Sequence, residues 1–167
     1  MNKKLIIYII LSITCMGIIF CFSSRNTIES NSTSKNLIRN VIDKYESITG
    51  KNINKESLVT KLNYPVRKLA HFSIYFLLGL VVYGLFLHTN MKHKLLFSIL
   101  TCVVYASFDE IHQLFVLGRT GQVLDVFIDS MGSIIGMILI KILIRKRGKI
   151  YEWRSSKINK RWIIKSK

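Results

Sequence analysis

The chain has 167 residues, of which 25 are Lys or Arg and 9 are Asp or Glu, for a formal net charge of +16, and half of it is hydrophobic. A mean hydropathy of +0.32 excludes a disordered basic tail and argues against a soluble nucleic-acid binder, which is rarely so apolar. The length suits one domain, so charge and apolar residues must be segregated along it.

Taken in chain order, Lys3 and Lys4 precede an uncharged run from Leu5 to Phe22. A secretory signal is the alternative for this run, but its length and the lack of an A-x-A site favour a membrane anchor. Leu69 to Leu87 contains only His71 as a readily titrating group, Leu95 to Phe108 is uncharged, and Val123 to Ile140 is apolar apart from Asp125 and Asp129. A bilayer core of about 30 Å takes about 20 helical residues, and backbone crossing lipid must satisfy its own hydrogen bonds. The expected fold is therefore all-α, an integral membrane four-helix bundle with spans at 5–23, 66–88, 95–117 and 122–144.

Between the first two spans, Ser32, Ser34 and nearby Asn offer caps, and Leu37, Ile38, Val41, Ile42, Tyr45 and Ile48 recur at helical spacing. This predicts an amphipathic helix, either packed on the bundle end or lying on the membrane surface. A shorter helix is expected over Glu56 to Leu62, with Pro65 in the first turn of span two. Residues 1–144 form the transmembrane domain and 145–167 a basic tail. That tail, with Lys3, Lys4, Lys92 and Lys94, places both termini in the cytoplasm by the positive-inside bias, although the 23–66 segment is also basic. Trp153 and Trp162 among the tail cations suit contact with membrane lipid rather than nucleic acid. Gly132 and Gly136 give a G-x-x-x-G that permits close helix packing. Cys15, Cys21 and Cys102 form no C-x-x-C pair.

The informative residues are charges placed where a bilayer resists them. Asp109, Glu110, Asp125 and Asp129 lie at the end of span three or the start of span four, with His112 and Gln113 beside them and Arg119 in the intervening turn. Arg67, Lys68, His71 and Tyr75 lie at the start of span two. These three helix ends share one side. A charge at mid-bilayer costs about 2.5–3.5 kcal/mol on insertion scales, so the acids should face one another, with Arg67, Lys68 and Arg119 as counter-charges. The expectation is a nearly balanced polar pocket opening outward; an ion-pair network that only pins helix order is the alternative. No H-E-x-x-H is present and Asp-Glu-x-His is a weak pattern, so neither a metal nor another cofactor is expected. A proton relay through Asp129, Asp109 and His71, or a clamp on a phosphate or carboxylate by Arg67 and Arg119, would also use these groups.

The run from Arg67 to Tyr75 resembles the R-K-x-x-H-F-x-E-Y signature of VanZ-like membrane proteins, with Ile74 where that family usually has Glu. Asp109-Glu110-Ile111-His112-Gln113, then Gly118-Arg119, then Asp125 to Gly132, is similar to the family's D-E-x-H-Q…R…D-x-x-x-[DN]-x-x-G pattern, and Phe22-Ser23-Ser24 to its F-S-S segment. Leu117 replaces a common Pro and Arg25 a frequent Gln. The resemblance covers about 5–144 and implies a multi-pass bacterial cell-membrane protein. Its name-giving member confers low-level resistance to teicoplanin, a lipid-bearing glycopeptide acting on cell-wall precursors at the outer leaflet. The implied role is thus in the cell envelope, with such a precursor or a glycopeptide as partner. The alternatives are a membrane enzyme on a lipid-linked or phosphate-bearing substrate, using His71 with Asp109 or Asp129, and a structural partner of another envelope protein. The sequence leaves the oligomeric state open.

Overall fold

In a computed structural model the described residues form five helices: α1 (Lys3–Ser23), α2 (Thr27–Thr49), α3 (Lys55–Leu87), α4 (Lys94–Gln113) and α5 (Val123–Lys165). The structure describes the backbone of residues 3–52 and 54–165, and side-chain surroundings as far as Gly148. The expected lipid contacts of Trp153 and Trp162 lie outside the described side chains. No strand occurs among the described residues. α1, α3, α4 and the Val123–Gly148 part of α5 are each long and apolar enough to cross a membrane. Their outward faces carry Ile7, Ile13, Phe20, Leu77, Val104, Phe108 and Ile138 exposed, the apolar surface that lipid covers. The chain is a multi-pass helical membrane protein.

α3 is the central element and packs against all four others. The core between the spans is Ile19, Tyr75, Leu78, Val82, Tyr83, Cys102, Ala106 and Met137. α3 and α5 touch backbone to backbone: a Cβ on Gly79 would strike the Ser133 carbonyl, one on Gly132 the Phe72 carbonyl, and one on Gly136 the Phe76 carbonyl. The G-x-x-x-G spacing thus serves close packing, with Gly79 as the reciprocal notch on α3.

Several boundaries differ from the sequence expectation, two of them beside the site. The helix around Glu56 and span two are one helix, with Pro65 in its interior. An interior Pro costs about 3 kcal/mol through a lost hydrogen bond and a ring clash. Here the turns before Pro65 are held laterally: Val59, with Leu58 and Val66, packs on Ile38 and Ile42 of α2. Arg39 pairs with Glu56 at 3.1 Å, and Lys55 with Asp43 at 2.6 Å and Glu46 at 2.8 Å. At 1.5 Å per residue α3 is about 50 Å long, so its first turns run past the end of α1. The second difference is span three, expected to reach 117. α4 closes at Gln113, and hydrogen bonds from the amides of Leu114, Phe115 and Val116 to the carbonyls three residues back tighten the chain into a turn. Gly118, at φ 74°, then redirects it.

α2 is the predicted amphipathic helix. The Asn26 side chain caps it by accepting from the Glu29 amide at 2.8 Å, so the helix starts earlier than expected and Ser32 and Ser34 lie inside it rather than at its cap; Gly50 at φ 67° ends it in the left-handed conformation. It runs antiparallel along the first turns of α3, since Arg39 meets Glu56, Ser34 meets Asn63 and Asn31 meets Arg67. Of its apolar residues, Ile38 and Ile42 are buried on α3, whereas Leu37, Val41, Tyr45 and Ile48 are exposed. The start of α2 is tied to the α4–α5 turn, with the Thr27 amide donating to the Leu117 carbonyl at 3.4 Å and its hydroxyl to that of Gly118.

Candidate functional site

At one end of the bundle the ends of α1 and α4 meet the starts of α2 and α5 around α3. Asp109, 3% exposed, is the hub. Its Oδ2 accepts from the Ser23 hydroxyl at 2.8 Å, the Tyr75 hydroxyl at 3.2 Å and the Gln113 amide at 3.4 Å. Arg119 reaches in from the turn and donates to Gln113 Oε1 at 2.9 Å, to the Arg25 carbonyl at 3.0 Å and to the Phe22 carbonyl at 3.3 Å. One arginine thereby closes the end of α1 onto the end of α4. Burial, and secondarily the charge of Arg67, pull the Arg119 guanidinium below its ordinary value; arginine keeps its charge regardless.

Asp129, 2% exposed, comes from α5. Its Oδ2 lies 3.7 Å from His71 Nδ1. His71, Asp109 and Asp129 each present one ligand-type atom, and these atoms lie within 4.8 Å of one another. The interlocked α3–α5 backbones explain the pairing, because Gly132 against Phe72 fixes which turn of α5 faces His71.

The remaining predicted residues are placed elsewhere. Lys68 pairs with Asp125 on the outer flank of α3 and α5, with its ammonium 5.1 Å from the centre of the Tyr64 ring. Glu110 accepts from the Gln122 amide at 2.6 Å and so fastens the α4–α5 turn. His112 stacks on Phe20 at 4.5 Å and meets the Ser24 hydroxyl at 3.1 Å, on the α1 side of α4. Arg67 donates to Asn31 Oδ1 at 3.1 Å. Neither Arg67 nor Arg119 forms an ion pair among the described residues. The expected pool of mutually neutralising charges is therefore divided. Lys68 and His71 face acids, and the two arginines face neutral oxygens.

Those arginines border a cavity of about 270 Å³ that sequence reasoning did not delimit. Its wall holds Arg25, Arg67, Arg119 and His71, the hydroxyls of Ser23, Ser30, Thr33 and Ser34, and the apolar side chains of Ile19, Phe22, Leu37, Val66, Ala70 and Ile74. No carboxylate is among the lining residues. Ile74, the departure from the VanZ-like signature, stands on this wall, so the acid usual at that position is missing from the lining. Ser23, Arg25 and the α2 hydroxyls were not expected at the site. The F-S-S segment was the only sequence signal near them.

A small multi-pass helical bundle with titratable groups buried at one end, beside a cavity roofed by an extramembrane helix, is the class defined by this fold and site. The sequence model of the VanZ/LLP1 family matches residues 6–144, and the chain belongs to that family. Comparison with curated proteins gives no match, and neither does comparison with solved structures.

Proposed function

We propose that this protein acts in the bacterial cell envelope by holding the anionic head group of a lipid-bearing component in its cavity, which opens to the outer leaflet, with low-level glycopeptide tolerance of the teicoplanin type as one phenotype. The observation that carries this reading is the wall itself: three guanidinium groups and an imidazole, no carboxylate, and apolar side chains alongside. Guanidinium forks suit phosphate and carboxylate oxygens, and the apolar flank suits an acyl or prenyl chain. A cell-wall precursor carrying a lipid pyrophosphate fits both halves.

Native mass spectrometry of the full chain in detergent tests this with two probes, phosphatidylglycerol and a polyprenyl pyrophosphate. A charge-assisted hydrogen bond is worth about 1.5–3 kcal/mol, so Arg67→Gln is expected to weaken retention of the pyrophosphate by about 10- to 100-fold. Ile74→Glu, which returns an acid to the wall, should weaken it in the same sense. Equal retention by wild type and both variants would overturn the reading. The 3.7 Å approach of His71 to Asp129 supports a second reading, an enzyme in which His71 is the general base. Phosphate release from the pyrophosphate probe, lost in His71→Ala while binding is kept, distinguishes it.

Sidedness has its own test. With native cysteines removed, a thiol placed at Ser47 is expected to react with an impermeant reagent applied to intact cells, and one at Ser156 only after lysis. The reverse pattern would put the cavity on the cytoplasmic side and exclude outer-leaflet ligands.

A further inference from the structure

The cations of the cavity wall leave the acids beneath them without a role. Asp109 and Asp129 are almost completely buried at neighbouring positions on α4 and α5. Each has a carboxylate oxygen, Oδ1, with no hydrogen-bond partner. A buried acceptor without a donor bears its full desolvation cost, about 1–3 kcal/mol and more when charged, and two such atoms in one cluster need an explanation. His71 does not supply it: its nearest approach is to the other oxygen, Asp129 Oδ2, and at 3.7 Å that is too long for a hydrogen bond.

The two faces of Asp109 differ. Oδ2 receives three donors, from Ser23, Tyr75 and Gln113, and the Gln113 amide is itself oriented by Arg119. Oδ1 receives none. Metal-binding carboxylates and imidazoles are held in this way, with an outer layer of hydrogen bonds fixing the ligand while lone pairs are left for the ion. The triad comes from three separate helices, each anchored in the core, so its geometry rests on the bundle rather than on a loop.

We propose that His71, Asp109 and Asp129 bind one divalent transition-metal ion of the Mn²⁺ or Zn²⁺ kind, with the imidazole and one oxygen from each carboxylate as ligands. A mixed nitrogen and carboxylate set suits these ions, whereas Mg²⁺ and Ca²⁺ favour oxygen alone. Bonds of about 2.0–2.2 Å place tetrahedral ligands about 3.4 Å apart; the triad, with all atoms within 4.8 Å, closes on the ion by side-chain rotation. Three protein ligands leave at least one coordination position. His71 also lines the cavity, so that position adjoins the space bounded by the arginines. The ion would neutralise both buried carboxylates where the membrane disfavours net charge.

Ion binding is read without any lipid, so this inference and the cavity reading can fail separately. The full chain, purified in detergent and stripped with chelator, is reloaded with Mn²⁺, freed of excess ion and analysed for metal content and by pulsed electron paramagnetic resonance. The expected result is about one Mn²⁺ per chain with one directly bound imidazole nitrogen. His71→Ala should abolish the nitrogen signal, and His71→Ala and Asp129→Asn should each weaken binding at least tenfold. His112→Ala and Asp125→Asn, which lie outside the triad, should bind as wild type does. Mn²⁺ should also raise the thermal midpoint of the wild-type chain, a readout that needs no variant to fold. No Mn²⁺ or Zn²⁺ above the level of protein-free detergent, or an imidazole signal that survives His71→Ala, would overturn the proposal. Loss of ion binding with the pyrophosphate probe still retained would remove this inference alone.

Discussion

Gly136→Leu is expected to be among the most damaging single substitutions in the chain. A Cβ at Gly136 would strike the Phe76 carbonyl, with the Phe76 carbonyl carbon and the Leu80 amide nitrogen next nearest. Backbone cannot swing aside as a long side chain can, so α5 must move off α3. Inserting bulk into a packed core costs about 1–3 kcal/mol, occasionally more, and here it falls on the largest interface of the fold. Thermal unfolding in detergent should show a fall in midpoint of at least several degrees, or no folded protein at all. Gly17 is the control, since a Cβ there meets nothing within 4 Å. Gly17→Ala should be neutral or stabilising by up to about 1 kcal/mol, because helical Gly is itself unfavourable. Similar unfolding curves for the two variants would refute the interlock.

Asp109→Ala is expected to be nearly as severe, for a different reason. It strands the Ser23 and Tyr75 hydroxyls and leaves the Gln113 amide only its 3.4 Å bond to the Ser23 hydroxyl. Each unsatisfied buried donor costs about 1–3 kcal/mol, and the cavity left by the side chain adds to this. Tyr75→Phe removes one donor and leaves the acceptor with others, so its cost should be about 1 kcal/mol. Asp109→Asn retains an acceptor and the shape while removing the charge. The expected order of thermal midpoints is wild type, then Tyr75→Phe, then Asp109→Ala well below. A midpoint for Asp109→Ala at or above that of Tyr75→Phe would show that the hub is not structural. Asp109→Asn then separates charge from architecture: folded but without Mn²⁺, it would indicate that the carboxylate is needed as a ligand.

The bundle was legible because lipid leaves few choices. Uncharged runs of membrane-crossing length dictate helices, and all four appear. Pro65 misled because the sequence shows its local cost but not the lateral support from Ile38 and Ile42, which lie about twenty-five residues earlier. The end of α4 was overrun because Leu114, Phe115 and Leu117 are apolar, yet they belong to an exposed turn. Helical depth brought His71, Asp109 and Asp129 to one level, and the structure places them together. Depth says nothing about azimuth, however. Lys68 and Asp125 fall on an outer flank, His112 faces α1, and Glu110 faces the turn, although all four share the same stretch of sequence with the triad. The cavity was least legible. Its roof comes from α2, whose Asn31 and Ser34 carry no distinctive motif and gain meaning only through Arg67 and Asn63.

The backbone contacts between α3 and α5 also decide which walls of the cavity can yield. Glycine against carbonyl has no slack, so these two helices cannot slide or rotate without losing the contact along their shared length. α2 is held on α3 by side chains instead: the small cluster of Ile38, Ile42 and Val59, the ion pairs of Arg39 and Lys55, and, nearest the cavity, hydrogen bonds of Asn31 with Arg67 at 3.1 Å and Ser34 with Asn63 at 2.7 Å, which water can replace at little net cost. The cavity thus has one wall of two interlocked membrane helices and another whose attachment near the cavity is by exchangeable polar contacts. Were a bulky guest to enter the cavity, α2 rather than α3 or α5 would be the element to yield, and His71 and Asp129, on the two interlocked helices, would keep their spacing.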